Sequence, residues 1–389
     1  MKKIPYYFLV LVIALMFSTS VFADPGDTYV QVNFDIPGPN NGQCSVLKVS
    51  PDGDLTEFAS FESITALTGN PNCDFDDTGI TIADNGDVYF SEDDSDSIIL
   101  STPEGMLSTF ISESEIIAVT GDTSADLDNA LDIGPDGNLY FIDEESDTVL
   151  MATIPGAEIS IVLTPGEIQA VTGTTDVDLD AGIAFDCDGN LYFVNNPEDA
   201  ELDDILRLTP SGNLSIFVSG LEIIDGTGFA SDIDSGVAFF DSLFILDEGQ
   251  CDCVIKVDLD KDISVFLTEA QITSVTGNGG ANPDGGIAVR QNREVIYGDD
   301  GSSPEDPNLL VSNPIGTDLQ ILVSTAQLED FYDFVPFSQI DLQGSIVIEG
   351  VDPCLTRNVP TFSQWGLIML AAMLGIVGYI VVRRKNAVA

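Results

Sequence analysis

Histidine is absent from the 389-residue sequence, and basic residues are scarce: 12 Lys and Arg stand against 65 Asp and Glu, a formal net charge of −53. Without an imidazole, every mechanism that needs a histidine base or a histidine zinc ligand is excluded. A chain this acidic also lacks the clustered cations that nucleic-acid binding requires. Yet 44% of the residues are apolar, so the chain has enough hydrophobic material for a large core.

Residues 1–23 have the pattern of a secretory signal peptide. A basic start (residues 2–3) is followed by an apolar run (8–17) and by a small-residue cleavage site (21–23). An uncleaved membrane anchor is the alternative, although the apolar stretch is short for one. We therefore expect export, with signal peptidase as a partner.

The C-terminal end has three parts in a fixed order. A short motif within residues 354–366 is followed by the uncharged apolar run 367–382 and then by the basic tail 383–389. The run is at the lower edge of the length that a transmembrane helix needs, and the terminal cations predict a cytoplasmic C-terminus. An ordinary C-terminal anchor is the alternative interpretation of the run and the tail.

The motif before the run resembles the IPTLxxWG-type C-terminal sorting signal of Gram-negative bacteria, with Val for Ile and Phe for Leu at two positions. The matching residues are Val359, Pro360, Thr361, Phe362, Trp365 and Gly366. In proteins with this signal, an exosortase-type membrane protease is thought to recognise and process the tail. The resemblance implies a stage in the inner membrane, followed by a cell-surface or secreted destination in a Gram-negative-type envelope.

The middle of the chain, residues 24–353, repeats about every 52 residues. A segment with a tight turn recurs as GITIADNGDVYFS (79–91), ALDIGPDGNLYFI (130–142) and GIAFDCDGNLYFV (182–194), and two looser copies follow. A TG dipeptide repeats at the same spacing, offset from the first pattern. Outer hairpins are predicted at 46–60, 97–112, 148–164, 204–219, 253–268 and 309–324.

A period near 50 residues with four short strands per unit predicts propeller blades. Six outer hairpins predict an all-β fold, a six-bladed β-propeller. Residues 28–34 and 340–349 each supply an inner-type strand, so we expect both ends of the domain to form one closing blade. A solenoid or two separate sandwiches are the alternatives.

Segments such as GIAFDCDGNLYFVNN resemble the repeats of NHL and gluconolactonase/SMP-30-like propellers. The likeness covers most of residues 28–350 and consists mainly of turn chemistry and strand pattern. It implies the fold and says little about function, because one fold hosts many activities.

Six cysteines between the terminal segments suit an oxidising compartment. With no CxxC pair and no histidine, disulfides are favoured over a structural zinc site. Cys44 follows an inner strand and Cys73 lies in the next connector, so both map to the same face and we predict that they pair. Cys187 lies in a turn on the opposite face, and we expect it to be remote from Cys251 and Cys253.

Acidic residues precede the innermost strand in five copies of the repeat, on the side that we call the top face. One Asp per copy follows the repeat, at spacings of 52, 52, 54 and 50 residues: Asp76, Asp128, Asp180, Asp234 and Asp284. In a ring, these carboxylates would converge at the top of the central channel, where like charges raise carboxyl pKa values or recruit a hard cation such as calcium. Alternatively, each Asp caps a turn at the start of its strand.

Two classes of function fit this pattern. The first is a surface-sorted, non-enzymatic binding or scaffold module that recognises an unknown surface ligand through an acidic, calcium-binding top face. The second is a metal-dependent lactonase or related hydrolase of the SMP-30-gluconolactonase-like type. The resemblance to that group implies a mixed set of metal ligands: one Glu, two Asn and one Asp. The third copy of the repeat does depart from the acidic pattern, with Asn195-Asn196-Pro197. The streptogramin-lyase branch depends on a catalytic histidine, so its mechanism is excluded.

Overall fold

Six small antiparallel sheets and six short α-helices make up the described part of the chain. The computed structural model describes residues 26–35, 42–127, 131–175, 177–197, 202–301, 307–332 and 340–354. The predicted signal peptide, sorting motif and apolar run 367–382 lie outside these residues. Among the described helices, none is long and apolar enough to span a membrane. The propeller unit ends at Val351, and the described residues 352–354 belong to a second unit.

Both ends of the propeller meet in one blade. Strand β1 (Thr28–Asp35) pairs with β2 (Gly42–Val49), which pairs with β3 (Leu55–Ala59). On its other side, β1 pairs with the late strands β24 (Ile340–Asp341) and β25 (Ile346–Ile348). The predicted closing blade is confirmed, and its innermost position is filled by two short strands in place of one.

The five other blades each contain four strands, paired in chain order from the innermost to the outermost. Blade 1 holds β4 (Ile80–Ile82), β5 (Val88–Glu92), β6 (Ser97–Ser101) and β7 (Leu107–Ile111), and blade 2 holds β8 (Asp132–Ile133), β9 (Leu139–Asp143), β10 (Thr148–Ala152) and β11 (Ile159–Leu163). Blade 3 holds β12 (Ile183–Phe185), β13 (Leu191–Asn195), β14 (Asp204–Leu208) and β15 (Leu214–Val218), and blade 4 holds β16 (Val237–Phe239), β17 (Ser242–Asp247), β18 (Cys253–Asp258) and β19 (Ile263–Leu267). Blade 5 holds β20 (Ile287–Val289), β21 (Val295–Asp299), β22 (Asn308–Ser312) and β23 (Leu319–Val323). The six-bladed plan predicted from the repeat is confirmed.

A short helix follows the outermost strand of every blade, and the sequence analysis missed all six. They are α1 (Phe61–Thr68), α2 (Glu113–Thr120), α3 (Pro165–Thr172), α4 (Gly220–Thr227), α5 (Glu269–Thr276) and α6 (Thr325–Phe331). Five of them begin with a capping box, such as Thr164 with Glu167. The glycines of the repeated TG dipeptide cap the C-termini of these helices. Gly173, for example, has a left-handed φ of 78°.

The hydrophobic core lies between neighbouring blades. Six clusters of buried apolar side chains fill the six junctions. At the junction of blades 1 and 2, for example, Tyr89 packs with Phe141 and Leu139. A four-stranded blade cannot bury both faces alone, and each large apolar side chain that the ring buries contributes about 1.5–3 kcal/mol. Ring closure is therefore the main source of stability.

Backbone hydrogen bonds join the innermost strands of neighbouring blades at the top face. In each bond, an amide of one blade donates to a carbonyl of the neighbouring blade. The pairs are Gly182 to Ser235 (3.0 Å), Gly236 to Gly285 (2.9 Å), Gly286 to Gly344 (3.1 Å) and Ser345 to Thr78 (3.0 Å). A Cβ atom added to Gly286 would lie 2.2 Å from the Ile346 nitrogen, so this close approach requires glycine. The inner strands thus form a narrow collar around the channel.

Candidate functional site

In blades 1–5, the connector on the top face is fixed to its own blade by the same two hydrogen bonds. In blade 1, the Asp74 amide donates to Glu92 Oε1 (3.1 Å), and the Asp74 carbonyl accepts from the Asp93 amide (3.2 Å). The pair recurs in blades 2–5, with connector residues Asp126, Asp178, Asp232 and Asn282 and strand-end residues Asp143, Asn195, Asp247 and Asp299. This anchoring role therefore belongs to the residue two positions before each predicted ring aspartate.

Three of the five predicted ring aspartates lie at the mouth of the channel. Asp180 and Asp234 line the cavity there. Asp284 is buried beside it and accepts a hydrogen bond from Gln343 Nε2 at 3.0 Å. Each of the three lies two residues before the glycine whose amide bonds the next inner strand. Asp128 lies outside the described residues.

In blade 1, Asp77 lines the cavity, whereas the repeat singled out its neighbour Asp76. Blade 1 has one more residue than blades 3–5 between the connector anchor and the inner strand, and Asp77 adopts a left-handed φ of 49° there. Asp76 points to the closing blade and accepts from Asn33 Nδ2 at 2.7 Å. The spacing could not show this shift, because the spacings in the repeat vary by more than one residue.

Gln343 occupies the ring position of the closing blade. It lies two residues before Ser345, whose amide bonds the Thr78 carbonyl. Sequence reasoning missed it because the closing blade lacks the turn signature of the repeat. Among the described residues, the ring consists of Asp77, Asp180, Asp234, Asp284 and Gln343.

The ring surrounds a small cavity with about 10 Å³ of free space, room for about one water molecule or one ion. Ser235 lines this cavity and is 6% exposed, and its Oγ has no hydrogen-bond partner among the described residues. The same holds for the buried Oδ1 atoms of Asp180 and Asp234. A buried polar atom without a partner costs about 1–3 kcal/mol, so three such oxygens favour an electropositive partner at this position.

Burial and mutual repulsion raise the pKa values of the channel carboxyls. Desolvation by the surrounding channel wall, followed by the charges of Asp284 and Asp76, raises the pKa of Asp77 to about 9, although the residue itself is exposed to solvent. Burial and the charge of Asp178 raise the pKa of Asp180 to about 8. These groups carry their negative charges at a free-energy cost, which bound protons or cations would relieve.

Basic side chains do not neutralise this acidity. The ion pairs found in the described part of the chain lie elsewhere: Lys48–Asp27, Lys48–Glu349, Lys256–Asp258, Arg290–Glu294 and Arg293–Asp241. Beside the ring, burial and the charges of Asp284 and Asp234 raise the pKa of Glu248 strongly. The top face therefore draws its counter-charge from solution.

A second acidic group lies between blades 1 and 2. One carboxylate oxygen each from Asp93, Asp96 and Asp126 lie within 4.8 Å of one another, and the buried Asp126 Oδ1 has no partner in the described residues. Burial and the charge of Asp126 raise the pKa of Asp96 to about 8. The channel carboxylates do not form such a group of three among the described residues, so they would have to move inward to share one ion.

The predicted Cys44–Cys73 disulfide is confirmed, with a Cα–Cα distance of 5.4 Å. Cys251 and Cys253 form a second disulfide across two positions, with a Cα–Cα distance of 5.0 Å. Cys187 lies in the turn between β12 and β13 and pairs with neither of them. No described cysteine is free, which fits an extracytoplasmic protein.

Comparisons with known proteins agree with both the tail and the fold. Residues 359–384 match the IPTL-CTERM motif, a sorting signal for export and surface display. No curated protein sequence matches the chain.

Among solved structures, the chain is similar to one in the nidogen/laminin complex, with 14% identity, 83% of this chain and 100% of that chain covered, and a TM-score of 0.51. Virginiamycin B lyase from Staphylococcus aureus has 16% identity over 77% of this chain and 85% of its own, with a TM-score of 0.45. A calcium-binding regucalcin from Agrobacterium tumefaciens has 11% identity over 64% of this chain and 76% of its own, with a TM-score of 0.42. At these identities the likeness concerns the fold alone, a β-propeller.

Proposed function

We propose that this chain is a surface-sorted binding or scaffold module whose acidic top face holds a divalent cation, with calcium as the best fit. The sorting motif and the disulfides support the destination. In this proposal, signal peptidase removes residues 1–23 and an exosortase-type protease processes the tail. The ligand that the module recognises is a component of the cell exterior.

One observation carries the cation site: three buried oxygens without partners around a cavity of ionic size. Ser235 Oγ, Asp180 Oδ1 and Asp234 Oδ1 are all hard oxygen donors, and calcium binds six to eight such oxygens. Asp77 adds a further carboxylate from blade 1. A bound cation would neutralise these carboxylates and hold blades 1, 3 and 4 together at the channel mouth.

The Asp93–Asp96–Asp126 group is the second candidate position for the cation. Its oxygens already lie close together, whereas the channel ring offers more carboxylates and the unpartnered hydroxyl. Both positions lie on the top face, so the proposed function is the same for either. Separate variants distinguish them.

Calcium binding is tested by thermal melting. If calcium is present at one hundred times its Kd, it should stabilise the folded state by about 2.7 kcal/mol, beyond the effect of sodium chloride at equal ionic strength. Asp180→Asn with Asp234→Asn should remove that excess if the channel binds the ion. Asp93→Asn with Asp126→Asn should remove it if the second group does.

Asp52→Asn with Asp260→Asn is the matched control, because it removes two exposed carboxylates from turns on the other face. That variant should keep the full calcium effect. Equal melting temperatures in calcium and in sodium chloride at matched ionic strength would refute a specific site.

A metal-dependent hydrolase is the second candidate function. Asn196 Nδ2 donates to Asp180 Oδ2 (3.4 Å), and the charges of Asp284 and Asp234 act on Glu248, so an Asn and a Glu stand beside the ring. The 10 Å³ of free space admits an ion but no lactone, which supports binding over hydrolysis. Calcium-dependent turnover of simple lactones, abolished by Asp180→Asn, would reverse this preference.

A further inference from the structure

A second cavity lies on the top face, away from the channel, between the end of α3 and the start of α4. It has about 210 Å³ of free space, enough for about seven water molecules at their volume in the liquid. Its walls include Thr172, Asn195, Pro197, Leu202, Asp204 and Leu221. Unlike the channel cavity, it can hold a small organic molecule.

The base of this cavity carries a neutral residue where the other blades carry an acid. Asn195 ends β13, and the residues at the same position in blades 1, 2, 4 and 5 are Glu92, Asp143, Asp247 and Asp299, all of them buried. Asn195 is 1% exposed, and its Oδ1 accepts the Asp178 amide at 3.3 Å. That bond uses the side-chain carbonyl oxygen and does not engage Nδ2. Because Asn195 lines the cavity, this pair of N–H donors is available to a ligand.

The described walls of the cavity combine three apolar residues with hydroxyl and amide side chains, and they carry no basic group. Leu221 is 65% exposed at the rim, and the other helices have Glu62, Ser114, Gly166, Ala270 and Ala326 at this position. Pro197 and Leu202 extend the apolar surface. Among the described lining residues the one carboxylate is Asp204. It accepts the Gly220 amide through Oδ1 at 3.1 Å and keeps its second oxygen for a donor.

We propose that this cavity binds a neutral polyhydroxy compound, a single sugar unit of a glycan. A sugar hydroxyl would accept from Asn195 Nδ2, another would donate to Asp204, and the C–H face would pack on Leu221 and Pro197. Anions are disfavoured because no Lys or Arg is among the lining residues and the chain is strongly acidic. Cations are also disfavoured here, because the channel offers them more carboxylates than this cavity does. The site lies outside the cation positions and does not depend on them.

Saturation-transfer NMR on the full chain in detergent, with EDTA present, tests this proposal. Glucose, galactose and N-acetylglucosamine at millimolar concentration are the probes. We expect transfer to the ring protons of at least one of them. Asn195→Asp should weaken that binding at least tenfold, because it replaces the donor by a charged acceptor. It should still fold, since four other blades have a carboxylate at this position.

Leu221→Ala should also weaken binding, without a change in the core, because the side chain is exposed. Asp143→Asn is the matched control: it makes the reverse exchange in blade 2, and sugar binding should stay as in the parent. The proposal is overturned if none of the three sugars shows transfer, or if Asn195→Asp and Leu221→Ala both leave it unchanged. Stronger transfer to glucuronate or glucosamine than to the neutral sugars would overturn the ligand class.

Discussion

Gln343 Nε2 donates a hydrogen bond to Asp284 Oδ2 over 3.0 Å, across the junction between blade 5 and the closing blade. Gln343 is the one uncharged side chain in the described ring, and here it contacts the carboxylate of the adjacent ring position. A carboxylate at this position, the fifth in the described ring, would face Asp284 directly. The carboxamide therefore limits the repulsion at the point where the ring is closed.

Replacing Gln343 by Glu should destabilise the protein in EDTA by about 2 kcal/mol, because a hydrogen bond to a charged group becomes a contact between two carboxylates. Calcium should recover most of the loss if the ring binds it. Urea unfolding with and without calcium measures both effects. Gln320→Glu is the control, because Gln320 also donates to an aspartate, Asp318, but is exposed. A loss of equal size in the control would contradict this interpretation.

Stability should fall as pH rises from 4 to 8 in the absence of divalent cations. Burial raises the pKa of Asp299 to about 6, above its unfolded value near 4. Its contribution is therefore fully present below pH 4 and is lost as pH rises through 6, by about 3 kcal/mol. Asp299→Asn should stabilise the protein by up to that amount at pH 8 and by little at pH 4.

Blade 3 already has an asparagine, Asn195, at the position of Asp299, so the substitution fits the fold. Asp260→Asn, at an exposed turn, serves as the control and should leave the pH dependence unchanged. Urea unfolding at the two pH values gives the free energies. Equal stabilisation by Asp299→Asn at both pH values would show that the burial of its charge is not the cause.

The two described disulfides should differ in their contribution to stability. Cys44 and Cys73 close a loop with a sequence separation of 29, which predicts a loss of about 3–4 kcal/mol when both are replaced by Ala. Cys251 and Cys253 are separated by only 2 positions, so the same model predicts about 1–2 kcal/mol for that pair. All four side chains are buried, so the packing losses are matched. Denaturant unfolding of the two double variants would contradict the chain-entropy account if the order were reversed.

The sorting signal should act independently of the propeller. Replacing Trp365 and Gly366 by Ala should abolish processing and surface retention, while the melting temperature of the propeller stays the same. Asn386→Ala, in the basic tail, is the control and should be processed normally. Mass spectrometry of the mature protein and cell fractionation report the outcome. If mature mass and location are unchanged in the double variant, the tail is an ordinary anchor.

The blade plan could be predicted from the sequence because its signals are local. Turn glycines such as Gly86, Gly137 and Gly189 recur with the blade, and each has a positive φ. The helices were also signalled locally, by a Ser or Thr followed three residues later by Glu or Gln, as in Ser219 and Glu222. That capping pattern is present in the sequence, although the repeat analysis, which considered strands and turns, predicted no helix there.

The site could be predicted only in outline. The repeat indicated which connectors carry ring carboxylates, but one additional residue in blade 1 shifts the ring position from Asp76 to Asp77. The partner of Asp284, Gln343, is distant in sequence and lies outside the repeat pattern. Whether an oxygen such as Ser235 Oγ is left without a partner depends on packing between blades, which no local pattern records.

The pairing of Thr28 with Ile348 in the closing blade has a consequence for how the chain folds. The inner edge of β1 has no strand beside it until β25 has been made, at the far end of the domain. Joining two such distant segments is entropically costly and slow, and an open strand edge meanwhile invites pairing with other chains. A propeller of this design therefore keeps the inner edge of β1 unpaired until the last segment of the domain has been made, and it completes its ring last.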